Sequence, residues 1–124
     1  MKQTITVKQL QELTEEQKER LRSWWEPELY QSMVNRYGVK FYLESLDEGY
    51  LREIRNCLPL LSVGQCIELL EEKDPGSWSI CCSKSGGWYI TSSNLYAPKY
   101  YIADGGKDFE EIIDALWQAV KEVL

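Results

Sequence analysis

Residues 57–72 read CLPLLSVGQCIELLEE. Ser62 stands three residues before Gln65, so its hydroxyl can accept a backbone N–H at a helix start while the amide reaches back to the Ser62 N–H. Val63, Cys66, Ile67 and Leu70 then recur at three- and four-residue intervals, which lays them along one helical face. The spacing predicts a helix over residues 63–72, buried on one side.

The same capping pattern occurs twice upstream, at Thr6 with Gln9 and at Thr14 with Gln17, and predicts helices over residues 7–13 and 15–25. Residues 15–22 are nearly all charged or amide, so Leu13, Leu21, Trp24 and Trp25 must anchor the second helix, which Pro27 ends. Adjacent Trp24 and Trp25 cannot both lie on one core stripe. Beyond Pro27 the spacing of Leu29, Met33, Val34 and Tyr37 predicts a third helix stopping at Gly38, with an extended segment as the alternative. Residues 39–44 are β-branched and aromatic, and with a turn at Leu46-Asp47-Glu48-Gly49 and residues 50–55 they read as a hairpin. Leu43, Leu46, Tyr50, Leu51 and Ile54 also fit helical spacing, so a helix competes there.

After the central helix, Asp74-Pro75-Gly76 marks a turn, and residues 78–82, 88–92 and 99–103 are the strand candidates. SKSGG at residues 83–87 suits a hairpin tip. Asp104-Gly105-Gly106 breaks the chain before a last helix capped by Asp108 and carrying Phe109, Ile112, Ile113, Leu116, Trp117, Val120 and Val123. Interleaved helices and hairpins predict one α+β domain over residues 1–124, a small antiparallel sheet packed by N-terminal, central and C-terminal helices.

The chain has 124 residues, 44% hydrophobic and 12% aromatic, enough for one packed core. Twenty acidic against fourteen basic side chains give a net charge of -6. That balance argues against direct nucleic-acid binding, which needs clustered Lys and Arg. No window approaches the roughly 18 apolar residues of a membrane span, and the N-terminal MKQTITVKQLQEL has no apolar signal core. The expectation is a soluble, unexported protein with no membrane association. Cys57, Cys66, Cys81 and Cys82 lack CxxC spacing and the chain has no histidine, so four buried thiols are expected rather than a zinc site. Adjacent Cys81 and Cys82 would face opposite sides of a strand, leaving at most one in the core.

CLPLLSVGQCIELLEE, the closing DALWQAVKEVL and the opening TVKQLQELTEEQKERLRSWWEPE together resemble blocks of small uncharacterised proteins encoded by phages and prophages of Firmicutes. The likeness covers roughly the first 28 residues, the middle block and the last dozen. It implies a phage accessory protein acting in the cytoplasm of the bacterial host cell, and it carries over no catalytic residue.

Catalytic signals are sparse. Without histidine the usual serine and cysteine triads and most metal centres are excluded, so no enzyme, metal or cofactor is expected. The carboxylate pairs Glu15/Glu16, Glu71/Glu72 and Glu110/Glu111 fall at helix ends or on solvated faces, where acids serve solubility and the helix dipole. Gly105-Gly106-Lys107 has the make-up of an anion loop but is ringed by Asp104, Asp108, Glu110 and Glu111. The aromatic run from Trp78 to Tyr101 is denser than one core needs, and it is interleaved with lysines. From this interleaving, together with what the resemblance to phage-encoded proteins implies, we expect a non-enzymatic counter-defence factor, a homo-oligomer that sequesters a nucleotide-derived immune signal. Trp88, Tyr89 and Tyr100 would stack on the base, and Lys84 or Lys99 would meet phosphate. The alternatives are an acidic protein inhibitor of a host nuclease or other nucleic-acid-binding defence protein, and a phage structural or assembly protein.

Overall fold

A computed structural model describes residues 2–73, 75, 78–84, 86–92, 99–101 and 109–124. The fold is α+β, with helices flanking small antiparallel sheets. Contacts divide the chain into two compact units, Ile5–Leu61 with Leu124, and Met1–Thr4 with Ser62–Val123. Among the described residues no helix is long and apolar enough to cross a membrane.

The Ile5–Leu61 unit opens with α1 (Val7–Leu10) and α2 (Glu15–Trp24), and both begin at the expected capping boxes. Thr6 Oγ1 accepts the Gln9 N–H at 3.2 Å and Gln9 Oε1 accepts the Thr6 N–H at 2.8 Å. Thr14 and Gln17 repeat the exchange at 3.1 and 2.9 Å. α1 is a single turn, shorter than its sequence pattern, because the Glu12 and Leu13 N–H groups turn back to the carbonyls of Gln9 and Leu10. α2 ends when Trp25 takes an extended conformation. Trp25 is the buried tryptophan, and its indole donates to Gln31 Oε1 at 2.8 Å; Trp24 is half-buried against the same core.

The helix expected across residues 27–38 is instead a strand, β1 (Ser32–Val34), the centre of a sheet ordered β2 (Lys40–Tyr42), β1, β3 (Leu58–Pro59). Met33 and Val34 are consecutive and both buried, which a strand achieves by covering its two faces separately. Met33 joins Trp25, Leu43, Ile54 and Cys57 in one core cluster. Tyr30 holds a left-handed backbone at φ 64, and its N–H donates to the Leu43 carbonyl at 2.7 Å while the Leu43 N–H donates to Gln31 O at 3.1 Å. Two residues thus oppose one, a β-bulge with its first residue left-handed. Gly38 does reverse the chain at φ 82, but as the end of a β-turn rather than a helix stop. That turn is tied by Asn35 Oδ1, which accepts from the N–H groups of Tyr37 and Val39 at 2.9 and 3.0 Å.

The hairpin expected between residues 39–44 and 50–55 is also replaced. β2 pairs with β1, and the second half forms α3 (Glu48–Glu53), the competing helical reading. Leu51 and Ile54, three residues apart, pack toward the core from there.

The Ser62–Val123 unit contains α4 (Val63–Lys73), β4 (Trp78–Cys82), β5 (Trp88–Ser92), β6 (Lys99–Tyr101) and α5 (Ile112–Val123). Ser62 and Gln65 exchange the predicted capping bonds at 3.2 and 3.1 Å. The buried face of α4 is Gln65, Cys66, Leu69 and Leu70, while Ile67, which the spacing placed on the apolar stripe, is exposed. The three strands form an antiparallel meander, with α5 against β5 and against α4. Trp78 donates its indole N–H to the Leu70 carbonyl at 2.9 Å, satisfying one of the acceptors left over in the last turn of α4.

α5 starts at Ile112, later than expected, because Phe109 is held by a two-way main-chain bridge to Trp88 at 2.7 and 2.9 Å. Trp117 is 0% exposed, with Ile113, Ala115, Leu116, Ala119 and Val120 buried around it. The Ser83–Gly87 tip closes as expected, with Ser83 N–H to Gly87 O at 2.8 Å. All four cysteines are free, but only Cys57 and Cys66 are buried; Cys81 is half-buried and Cys82 exposed, on opposite faces of β4. The expected turn residues Asp74 and Gly76, the break at residues 104–106, residues 102–103 of the third strand and the Asp108 cap lie outside the described residues.

Removing the α4 cap by Ser62→Ala should lower unfolding free energy by about 1 kcal/mol. Emptying the buried Leu69 site by Leu69→Ala should cost about 3 kcal/mol. Guanidinium titrations of the two variants against the parent check both the size and the order.

Candidate functional site

The residues singled out in the sequence sit along the β4-β5-β6 meander. Lys84 is exposed at the hairpin tip. Trp88 and Tyr89 are consecutive on β5 and therefore project from opposite faces of the sheet, Trp88 in register with Cys82 and Tyr89 with Cys81. Ser92 pairs with Lys99 and Thr91 with Tyr100, which places Lys99 at the end of β5 away from the tip. The four steps from Trp88 to Ser92 amount to roughly 13 Å at the usual strand rise. The two rings on β5 do not form one stacking platform, and the two lysines are set at opposite ends of the strand.

A different set of cations converges in the Ile5–Leu61 unit. Lys18 and Arg22 lie four residues apart on one face of α2, and Arg36 stands in the β1–β2 turn. All three line a cleft of about 240 Å³, floored by Val7, Leu10, Val34 and Leu58, with Gln11, Asn35 and Asn56 supplying neutral polar groups and Glu15 the one carboxylate. Lys18 is steadied by Glu15 at 3.1 Å and Arg22 by Glu19. The Arg36 guanidinium lies 4.8 Å from the Tyr37 ring centroid and donates to its hydroxyl at 2.7 Å. Arg22 Nε is buried with no hydrogen-bond partner among the described residues. A buried donor left unsatisfied costs about 1–3 kcal/mol, which an acceptor on a ligand would offset.

The sequence signal for this cleft was the four-residue spacing of Lys18 and Arg22 within an otherwise acidic helix. Arg36 carried no such signal, since only the β1–β2 turn brings it alongside α2. The carboxylates offer less chemistry: Glu15, Glu16 and Glu19 each accept from a cation of their own helix, and Glu111 Oε2 accepts the Lys2 N–H at 3.1 Å. Among the described residues no cluster of His, Cys, Asp or Glu could hold a metal ion. Gly105-Gly106-Lys107 lies outside the described residues.

Exposed large apolar and aromatic side chains concentrate in the same unit. Leu29, Tyr30, Tyr37, Val39, Tyr42, Leu46 and Tyr50 are all exposed, Tyr30 at 76% and Tyr37 at 74%. Tyr42 and Tyr50 share a second, wider cleft of about 570 Å³ between β2 and α3, with Phe41, Leu43, Ile54 and Cys57 inside it. The sequence spacing placed Tyr37 on a helix and Tyr42 and Tyr50 in a hairpin or helix, and the excess of rings it pointed to was the run from Trp78 to Tyr101.

Burial pushes the Cys66 thiol up to about 12, and burial also raises Cys57, partly opposed by the positive charge of Arg22. Neither is a nucleophile at neutral pH. No known family profile, no curated protein and no solved structure matches the chain.

A thiol reagent at neutral pH should label Cys82 readily and Cys66 only after unfolding, as mass spectrometry of the peptides would show. The Cys66 thiol loses its proton near pH 9 when unfolded and near 12 when folded. Its contribution to stability is therefore full below pH 9 and is lost as pH rises from 9 to 12. The melting temperature should fall more steeply over that window for the parent than for Cys66→Ala.

Proposed function

We propose that this chain is a non-enzymatic binding protein that sequesters a small phosphorylated or nucleotide-type ligand, with the anion held in the Lys18–Arg22–Arg36 cleft. The observation that carries this reading is the convergence of three cations around a partly apolar cleft in a chain of net charge -6, with a buried guanidinium N–H that has no partner among the described residues. Lys18 and Arg22 are pre-positioned by Glu15 and Glu19, and Arg36 by Tyr37, so an incoming anion meets groups that have already lost part of their side-chain freedom. Arginine suits the task because its planar donors match phosphate oxygens in pairs. The apolar floor of Val7, Leu10, Val34 and Leu58 accepts the non-ionic part of such a ligand.

The likeness to phage-encoded proteins supports a counter-defence setting, in which occupancy alone removes a host signal. Support for an acidic inhibitor of a host nuclease is weaker, because the carboxylates of α2 are neutralised by cations three and four residues along the same helix. Trp88 and Tyr89 lie on opposite faces of the sheet and cannot stack on one base together, which favours the α2 cleft over the β5 region.

Calorimetry and thermal shift against inorganic phosphate, ADP-ribose and a panel of cyclic nucleotides test this. One of them should give saturable heat and be recovered intact. Arg36→Gln, in an exposed turn, should weaken that ligand roughly tenfold or more while leaving the melting temperature of the free protein in place. Steady conversion of the ligand, or absence of heat across the whole panel, would overturn the reading.

A further inference from the structure

β2 is the outer strand of its sheet, paired only with β1 among the described strands. Its ladder to β1 runs from the Asn35 N–H to Val39 O bond at 3.0 Å, through the Met33↔Phe41 pair, to the Leu43 N–H to Gln31 O bond at 3.1 Å. In an antiparallel ladder alternate residues turn their main-chain groups toward the partner. Val39, Phe41 and Leu43 therefore spend theirs on β1. Lys40, Tyr42 and Glu44 turn their N–H and C=O groups outward, along an edge that holds no strand in the described structure. Their side chains are all exposed, on the face opposite the core-facing Phe41 and Leu43.

Open edges of this kind are commonly guarded by a lysine that repels a second strand. Here the guard has a complement. Residues 40–44 read Lys-Phe-Tyr-Leu-Glu, a segment whose charges change sign about Tyr42. We propose that the protein forms a two-fold symmetric dimer in which β2 pairs antiparallel with β2 of a second copy, centred on Tyr42.

In that register Lys40 lies directly opposite Glu44 of the other copy, Glu44 opposite its Lys40, and the two Tyr42 rings meet at the axis. Every open residue is then used, since the pairs 40/44, 42/42 and 44/40 all join outward-facing main-chain groups. A register centred on Phe41 leaves Glu44 unmatched and sets Lys40 against Tyr42. On the other face the Tyr42-centred register places Phe41 against Leu43 of the second copy. That continues the apolar cluster of Met33, Leu43 and Ile54, against which Phe41 is only partly covered. Opposite charges and aromatic pairs directly across a ladder are the stabilising contacts of sheets, and like charges there are destabilising. An isologous contact of this type closes on itself and does not propagate into a filament. The inference rests on the edge and its charge order, and stands apart from the ligand cleft.

Sedimentation equilibrium over a wide concentration series is the test. The parent should move reversibly from monomer to dimer mass. Tyr42→Pro, which removes the donor at the axis from an edge position where proline is tolerated, should stay monomeric with its circular dichroism unchanged. Lys40→Glu sets like charges opposite each other twice and should weaken dimerisation roughly tenfold or more. The exchange Lys40→Glu with Glu44→Lys restores the complement and should recover it. A parent that stays monomeric throughout, a Tyr42→Pro variant that still dimerises, or a charge exchange that fails to rescue Lys40→Glu would each overturn the proposal. Failure of the dimer would leave the ligand calorimetry unaffected, so the two readings fail separately.

Discussion

The register between β1 and β2 is the constraint on which the Ile5–Leu61 unit depends. Pairing Met33 with Phe41 sends Phe41 and Leu43 inward and turns Lys40 and Tyr42 outward, because strand side chains alternate with a period of two. A slip of one residue would exchange those sets, exposing Leu43 and burying a lysine. Two left-handed residues guard against that slip from either end: Gly38 at φ 82 shapes the turn, and Tyr30 at φ 64 sets the bulge opposite Leu43. Glycine adopts that conformation without strain, whereas tyrosine does so at a cost of order 1–3 kcal/mol, offset by the hydrogen bonds that Tyr30 and Gln31 make with Leu43.

From the same register follow the unit's two surfaces. On the Val34 side, the turn carries Arg36 alongside α2, and the cleft with Lys18 and Arg22 forms over an apolar floor. At the outer edge, Tyr42 stands between a cation and an anion, and its outward main-chain groups pair with no strand among the described residues. The first surface is the one proposed to take a small anion and the second the one proposed to pair with another strand, and one short ladder positions both.

The Ser62–Val123 unit is organised differently, around helices rather than a strand register. The Ser62–Gln65 exchange starts α4, and α5 buries Trp117 completely between its neighbours. Trp78 completes the last turn of α4 through the Leu70 carbonyl, and Trp88 tethers Phe109 through its main chain. The Trp78 ring is thus engaged in joining strand to helix, which accounts for one ring of an aromatic density that, in sequence, resembled a ligand platform.

Local signals were legible in sequence wherever the chain satisfies its own backbone. All three Ser/Thr–Gln boxes form, and β4 and β5 occupy the predicted residues, because capping and strand alternation act over a few positions. The stretch from Pro27 to Arg55 was not legible in that way. Met33, Val34 and Tyr37 fit a helical period as well as a two-faced strand does, and only the long-range bonds from Tyr30, Gln31 and Asn35 to Val39 and Leu43 decide between them. The cleft was half legible, through the Lys18–Arg22 spacing on α2. The arrival of Arg36, the exposure of Tyr30, Tyr37 and Tyr42, and the open edge of β2 were decided by tertiary structure alone. They depend on which strand pairs with which, a choice made by contacts far apart in the chain rather than by any residue's neighbours.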